Sequence, residues 1–147
     1  MVRALWRWAR LPAKDRWVTA EAAIALAVSA ATVALIPFRH IVAHVEARQR
    51  PPSPAAADAE QIVEQVRHAV GRAAKGAFWR AKCFEQGLAA YWMLHRRGVA
   101  STLYYGVSKG TDDQLAAHVW VRAAAIDVVG CDIAGDYSEL IRFPAAG

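Results

Sequence analysis

A cysteine, a histidine and two aspartates have the types and the order that a thiol-based hydrolytic site needs. Cys83 opens an apolar, helix-like stretch, His118 lies in a β-like stretch, and Asp127 and Asp132 lie in or just after the next one. A cysteine attacks as its thiolate, which a helix N-terminus stabilises, and an imidazole takes the thiol proton and later protonates the leaving amine. An acidic residue holds that imidazole in one tautomer. The pattern therefore favours a Cys-His-Asp triad.

These residues also have structural interpretations. A buried cysteine is most often a small core side chain, and a histidine on a strand is usually a satisfied core or surface group. A zinc site built from Cys83, His118, Cys131 and Asp132 is a further alternative, because its ligand types are acceptable. These four residues have no CxxC or HxxxH spacing among them, so we expect neither a metal nor a cofactor.

The elements that must position the candidate residues follow from hydrophobic periodicity. Apolar residues recur at spacings of three and four from Cys83 to Arg97, and Gly98 follows where a C-terminal cap is expected. This pattern predicts a helix that begins at Cys83. The period then changes to that of β-strands at residues 101–108, 115–122 and 126–129.

A separate segment rich in Trp, Arg and Ala precedes these elements. Residues 22–38 are 17 positions without a charge, at the lower limit for a membrane span, and seven of them are alanine. We favour a helix that packs on the rest of the protein and ends at Pro37, over a membrane helix.

A proline-rich stretch divides the chain. Three prolines within residues 51–54 cannot continue a helix. Helical spacing resumes from Asp58 to Val70, after which Gly71 and Gly76 are expected to loosen the chain. We therefore predict an N-terminal helical segment over 1–50, a Pro-rich linker over 51–57 and a catalytic domain over 58–147.

The distribution of charge excludes one class of partner. Residues 1–50 hold eight basic and three acidic side chains, whereas residues 51–147 hold ten of each. A nucleic-acid-binding protein would carry its positive charge on the folded domain itself, so we expect no nucleic-acid partner. The basic, Trp-bearing N-terminal segment is instead a solvated face or a docking surface, and contact with a membrane surface is a further interpretation.

The sequence around the candidate nucleophile and base resembles the transglutaminase-like cysteine peptidase superfamily. The motifs that carry the resemblance are FWRAKC at 78–83, RRGV at 96–99 and AHVWV at 117–121. Within the superfamily, the chain is similar to the lasso peptide biosynthesis proteins of the B2 type, which are leader peptidases. That likeness rests on the chain length, on the apolar helix that ends in ALIPFR at 34–39 and on the closing segment YSELIRF at 137–143.

The resemblance implies an α+β, papain-like fold in which a cysteine begins a helix that packs on a small antiparallel sheet. It implies a cytoplasmic cysteine peptidase that removes the leader from a ribosomally made lasso peptide precursor, with Cys83 as nucleophile and His118 as general base. The implied partners are the precursor peptide, a small leader-binding B1 protein and the macrolactam-forming cyclase. A non-catalytic scaffold and an acyl-transferring module built on the same apparatus stay open as alternatives.

The register of one hairpin decides which aspartate orients His118. A three-residue loop over 123–125 puts Asp132 on the face of His118, and a two-residue loop over 124–125 puts Asp127 there. The acid of the resembling family lies later in the strand than Asp127, so we prefer Asp132. The backbone N–H of Cys83 is our candidate oxyanion donor, and a second donor is left unassigned.

Overall fold

A computed structural model describes residues 9–48, 56–110 and 114–143 of the chain. Within these ranges, helices come first and are followed by a four-stranded antiparallel sheet in the order β3-β2-β1-β4. This arrangement confirms the α+β class. The elements are α1 (Ala13–Leu35), α2 (Phe38–Ala47), α3 (Ala56–Gly76), α4 (Cys83–Arg96), β1 (Ser101–Lys109), β2 (Leu115–Ala123), β3 (Ile126–Val129), a 3₁₀ helix (Cys131–Asp136) and β4 (Ser138–Phe143).

Helix α1 packs on the other helices through one face and exposes the opposite face. Ala22, Leu26 and Ser29 on the inner face are fully buried, and the Ser29 hydroxyl lies 2.8 Å from the carbonyl oxygen of Glu85 in α4. The expectation that this helix packs on the rest of the protein is therefore confirmed. By its length and composition, α1 is also the one helix among the described residues that could cross a membrane.

An ion pair also joins the first half of α1 to the end of α4. The Arg97 guanidinium donates to the Glu21 carboxylate at 2.9 Å, and this hydrogen bond lowers the pKa of Glu21. Helix α1 ends at Leu35, where Pro37 was expected to stop it, and Pro37 then caps the N-terminus of α2.

The core lies between α3, α4 and one face of the sheet. Valines at helical spacing on α3 are fully buried, at positions 63, 66 and 70. The same spacing continues to buried Ala73, so α3 runs on through Gly71 to Gly76. The expectation that Gly71 loosens the chain is therefore wrong. A Cβ at Gly71 would meet nothing within 4 Å, so the packing of α3 does not depend on a side chain at this position.

The two faces of β2 have different roles. Val119 and Val121 face α4 so closely that a Cβ added to Gly87 would lie 2.8 Å from Val119 Cγ1. Because side chains alternate along a strand, His118 and Trp120 face the other way. On that second face the Trp120 ring stacks on Tyr104 of β1, with the ring centroids 5.4 Å apart.

The β2–β3 hairpin closes through a two-residue loop, so the three-residue loop on which our preference for Asp132 partly depended is wrong. Ala123 pairs with Ile126 and Arg122 pairs with Asp127. The loop residues Ala124 and Ala125 have φ values of 49° and 62°, as in a type I′ turn. This turn matches the right-handed twist of the two strands, although alanine is not a residue that usually signals it.

The strained turn gives a direct test of this register. An L-residue in the left-handed region costs about 1–2 kcal/mol, and glycine removes most of that cost. We expect Ala125→Gly to raise the free energy of unfolding by about 0.5–1 kcal/mol in urea titrations. Ala116→Gly, at an exposed position inside regular β2, is the matched control and should lower it. A loss of stability at both positions would contradict the two-residue loop.

Candidate active site

Cys83 and His118 line one cleft of about 400 Å³. The walls of the cleft come from the turn between α1 and α2, the start of α4, and strands β1 and β2. Cys83 is the first residue of α4 and is half-buried, as the sequence predicts for a nucleophile at a helix N-terminus. The structure therefore brings two of the predicted site residues to the same place.

A buried carboxylate fixes the first turn of α4. Glu85 is only 7% exposed, and its Oε2 accepts hydrogen bonds from the Trp79 indole N–H at 3.1 Å and from the Lys82 backbone N–H at 3.2 Å. These bonds tie the segment before the helix to the helix itself, and they satisfy a carboxylate that would otherwise be costly to bury. Cys83, enclosed between Lys82 and Glu85, is held by the same contacts.

The start of α4 also offers backbone donors to the cleft. The first hydrogen bond of the helix runs from the Gln86 N–H to the Lys82 carbonyl, at 3.0 Å. The N–H groups of Cys83 and Phe84 precede that bond and so lack an acceptor within the helix. Both residues line the cleft. The Phe84 N–H is thus a candidate for the second oxyanion donor, which the sequence alone left unassigned.

A backbone carbonyl holds the His118 ring. Its Nε2 lies 2.6 Å from the carbonyl oxygen of Gly130, and the ring packs against Tyr137, with centroids 4.9 Å apart, and against Trp120 at 6.1 Å. A carbonyl oxygen can only accept a hydrogen bond, so Nε2 must carry the proton. Nδ1 is then the proton acceptor of the neutral ring, which is the state that a general base requires.

Gly130 is a site residue that the sequence analysis missed. Its φ is +70°, and a Cβ there would lie 2.5 Å from the Val119 carbonyl oxygen and 3.0 Å from His118 Nε2. Only glycine can bring its carbonyl to the ring in this conformation. The signal available in the sequence was a glycine directly after a short predicted strand.

Neither aspartate bonds to the histidine. Asp127 pairs with Arg122 at 2.8 Å, and Asp132 is exposed at the start of the 3₁₀ helix. In the part of the chain that the structure describes, no hydrogen bond joins either carboxylate to His118, whose Nε2 is already bonded to Gly130. The role of Asp132 as the orienting acid stays a prediction.

Cys83 and His118 both line the cleft, but the thiol and the imidazole lie on different sides of β2. Helix α4 lies on the Val119 face, whereas the His118 ring stacks on the opposite face. No hydrogen bond joins Cys83 Sγ to the ring among the described residues. Catalytic hydrogen bonds are often long in enzymes without substrate and tighten when substrate binds. Catalysis by this pair requires, in addition, that the His118 ring turn from its stack on Trp120 toward Sγ.

The second cysteine has a different environment. The Cys131 thiol is free and lies 3.3 Å from the Val121 carbonyl oxygen, and burial raises its pKa above the usual range. It is therefore held as a neutral thiol and is a poor nucleophile. The zinc alternative also gains no support, since the described residues contain no group of three or more His, Cys, Asp or Glu side chains placed to hold a metal ion.

A cysteine at the start of a helix that packs on an antiparallel sheet, with a histidine on the strand that the helix crosses, is the arrangement of elements in a papain-like fold. Residues 22–141, well over half of the chain, match the family model of the transglutaminase-like superfamily. The chain therefore belongs to that superfamily, which includes cysteine peptidases. Searches of curated proteins and of solved structures find no match.

The family match bears on how the chain is organised. It begins within α1 and continues across the proline-rich stretch, whose residues 51–55 lie outside the described residues. Most of α1 is thus part of the matched region, and its buried face packs on α3 and α4. The division into segments 1–50, 51–57 and 58–147 stays a prediction.

The Gly130 contact predicts a defined tautomer. We expect nitrogen-detected NMR of the His118 ring, in a ¹⁵N-labelled protein above the pH of imidazole protonation, to show the proton on Nε2. Gly130→Ala should abolish that preference, because the added Cβ would lie within 3.0 Å of the ring nitrogen.

Gly135→Ala is the matched control, since a Cβ at Gly135 would meet nothing within 4 Å. A ring protonated on Nδ1 in the unmodified protein, or a Gly130→Ala spectrum identical to it, would contradict this account of the site.

Proposed function

We propose that the chain is a cysteine peptidase that removes the leader from a ribosomally made lasso peptide precursor. The observation that carries the proposal is the placement of Cys83 and His118 on one cleft, with Cys83 at the positive end of α4. Membership of a superfamily that includes cysteine peptidases supports the reaction class. The similarity of the N-terminal helix and the closing segment to B2 proteins supports the choice of substrate.

In the first half of the reaction, His118 Nδ1 takes the Cys83 thiol proton, and Sγ attacks the carbonyl carbon of the scissile peptide bond. The negative charge moves to the carbonyl oxygen, where the N–H groups of Cys83 and Phe84 stabilise it. The tetrahedral intermediate then collapses as the C–N bond breaks, and the protonated ring gives its proton to the leaving nitrogen. The core peptide departs with a free N-terminal amine, and the leader stays on Sγ as a thioester.

In the second half, a water molecule loses a proton to Nδ1 and attacks the thioester carbonyl. The C–S bond breaks, and Sγ recovers the proton from the ring, so that the leader leaves with a free carboxylate. A separate cyclase would then use the amine of the core peptide to form the macrolactam. The chain needs no metal or cofactor for either half.

The Gly130 carbonyl takes the orienting position that an acidic residue would otherwise occupy. It accepts the Nε2 proton at 2.6 Å, so Nδ1 stays available for the thiol in both halves of the reaction. A neutral carbonyl stabilises the imidazolium less than a carboxylate does, because it carries no full charge. Asp132, one residue beyond Cys131 on the same segment, is the alternative orienting group.

The exposed face of α1 is our candidate docking surface for the leader-binding B1 protein. Trp17, Ile24, Val28 and Leu35 share this face at helical spacing and are 51–81% exposed. Tryptophan and large apolar side chains commonly anchor protein interfaces, and a soluble monomer rarely leaves such a stripe uncovered. The proposal places the chain in the cytoplasm, with a membrane surface as the alternative cover for this stripe.

The proposed function makes leader release depend on the side chains of Cys83 and His118. Cys83→Ala should abolish cleavage of a lasso peptide precursor, and His118→Ala should cost about as much, because the two side chains act as one unit. The loss expected is about three orders of magnitude or more in the rate of leader release, followed by mass spectrometry. The product masses also distinguish hydrolysis from acyl transfer, since only hydrolysis adds water to the leader.

Two matched variants serve as controls in this assay. Cys131→Ala and His95→Ala should keep most of the activity, since the Cys131 thiol is turned to a strand carbonyl and His95 contacts Arg48 at the far end of α4. Retained cleavage by a folded Cys83→Ala protein would refute the hypothesis that the chain is a cysteine peptidase. If Asp132→Ala proves as damaging as His118→Ala, the orienting role belongs to Asp132 and not to Gly130.

The docking surface makes a separate prediction. With the leader-binding protein added, cleavage by the unmodified chain should become faster, whereas a Trp17→Ala, Ile24→Gln double variant should lose most of that stimulation and keep its basal rate. Leu115→Ala, at an exposed apolar residue of β2, is the control and should be stimulated normally. Unchanged stimulation of the double variant would show that the partner docks elsewhere.

A further inference from the structure

Three aromatic rings form one wall of the cleft beside the nucleophile. Phe38, at the start of α2, packs with its ring centroid 5.5 Å from that of Phe84 and 5.4 Å from that of Tyr105. All three residues line the cleft that contains Cys83, and Phe84 follows Cys83 directly in the chain. The contact joins the N-terminal helices to both α4 and the sheet.

The cleft presents apolar surface that residues 9–48, 56–110 and 114–143 leave uncovered. Ile36 and Phe38 border it from the turn around Pro37, and each is 43% exposed. Pro37 restricts that turn, so the two side chains are held at the cleft by the backbone. Among the lining residues, Lys82 is the one with a fixed charge.

We infer that this wall is a subsite for a large apolar side chain of the peptide substrate, at a residue next to the scissile bond. The inference rests on the proposed function and adds to it a preference for a class of substrate. A peptide whose carbonyl carbon reaches Cys83 Sγ must place a neighbouring side chain against the lining of the same cleft. A volume of about 400 Å³ accommodates one such side chain, and apolar walls select it by burial.

The turn at Pro37 is therefore a specificity-determining element and not only the end of a helix. Large apolar side chains gain most in this subsite, because they bury the most surface against the aromatic wall. Glycine and alanine leave the wall exposed to water and gain little from binding there.

Chloromethyl ketones test the subsite without knowledge of the precursor. The probes are N-acetyl-phenylalanyl, N-acetyl-glycyl and N-acetyl-alanyl chloromethyl ketone. Sγ of Cys83 attacks the methylene carbon, the C–Cl bond breaks with loss of chloride, and the thiol proton passes to His118. The measurement is the rate of mass gain on the intact protein, with the modified residue located by peptide mapping.

The phenylalanyl probe should label Cys83 about tenfold faster, or more, than the glycyl and alanyl probes. Phe38→Ala should reduce that preference to about threefold or less. Phe78→Ala, whose side chain is 97% exposed and absent from the cleft lining, is the matched control and should keep the full preference.

The outcomes separate the subsite from the function. Equal labelling by all three probes, with His118→Ala slowing each of them, would overturn the subsite and leave the peptidase mechanism intact. Labelling of Cys83 that is no faster than that of free cysteine and is unaffected by His118→Ala would overturn the proposed function, and the subsite with it.

Discussion

The close approach of α4 to β2 at Gly87 determines where the nucleophile lies. A side chain at this position would meet Val119 at 2.8 Å, so the helix can cross the strand at this distance only because residue 87 has none. Gly87 lies one turn after Cys83, and Val119 directly follows His118. One packing contact thus brings the start of the helix and the histidine-bearing part of the strand to the same cleft.

A second glycine sets the histidine on the other face of the same strand. Gly130 adopts a left-handed conformation that brings its carbonyl to His118 Nε2. The rings of Trp120 and Tyr137 pack against the imidazole. Helix α1 borders the cleft through Val33 and the turn around Pro37, and its Ser29 hydroxyl bonds to the Glu85 carbonyl at the start of α4. The N-terminal helix is therefore part of the site's walls, whatever further role its exposed face has.

The elements that bury one regular face could be predicted from the sequence. Helix α4 and strands β1–β3 have observed ends within one residue of those expected, because apolar spacing and Gly98 mark them. Strand β4 was missed, since Phe143 is its one buried residue and no alternation marks the rest. The hairpin turn and the Gly130 contact depend on positive φ values and on tertiary packing, which residue types such as Ala124 and Ala125 do not signal.

The central claim is that Cys83 and His118 act as one catalytic pair, although they reach the cleft from two faces of β2. The most direct test is a crystal structure of the protein after reaction of Cys83 with the phenylalanyl chloromethyl ketone. If the two residues act as a pair, His118 Nδ1 should lie within about 4 Å of Cys83 Sγ, with Nε2 still bonded to the Gly130 carbonyl. A ring that stays stacked on Trp120 and Tyr137, with Nδ1 out of reach of the sulfur, would contradict it.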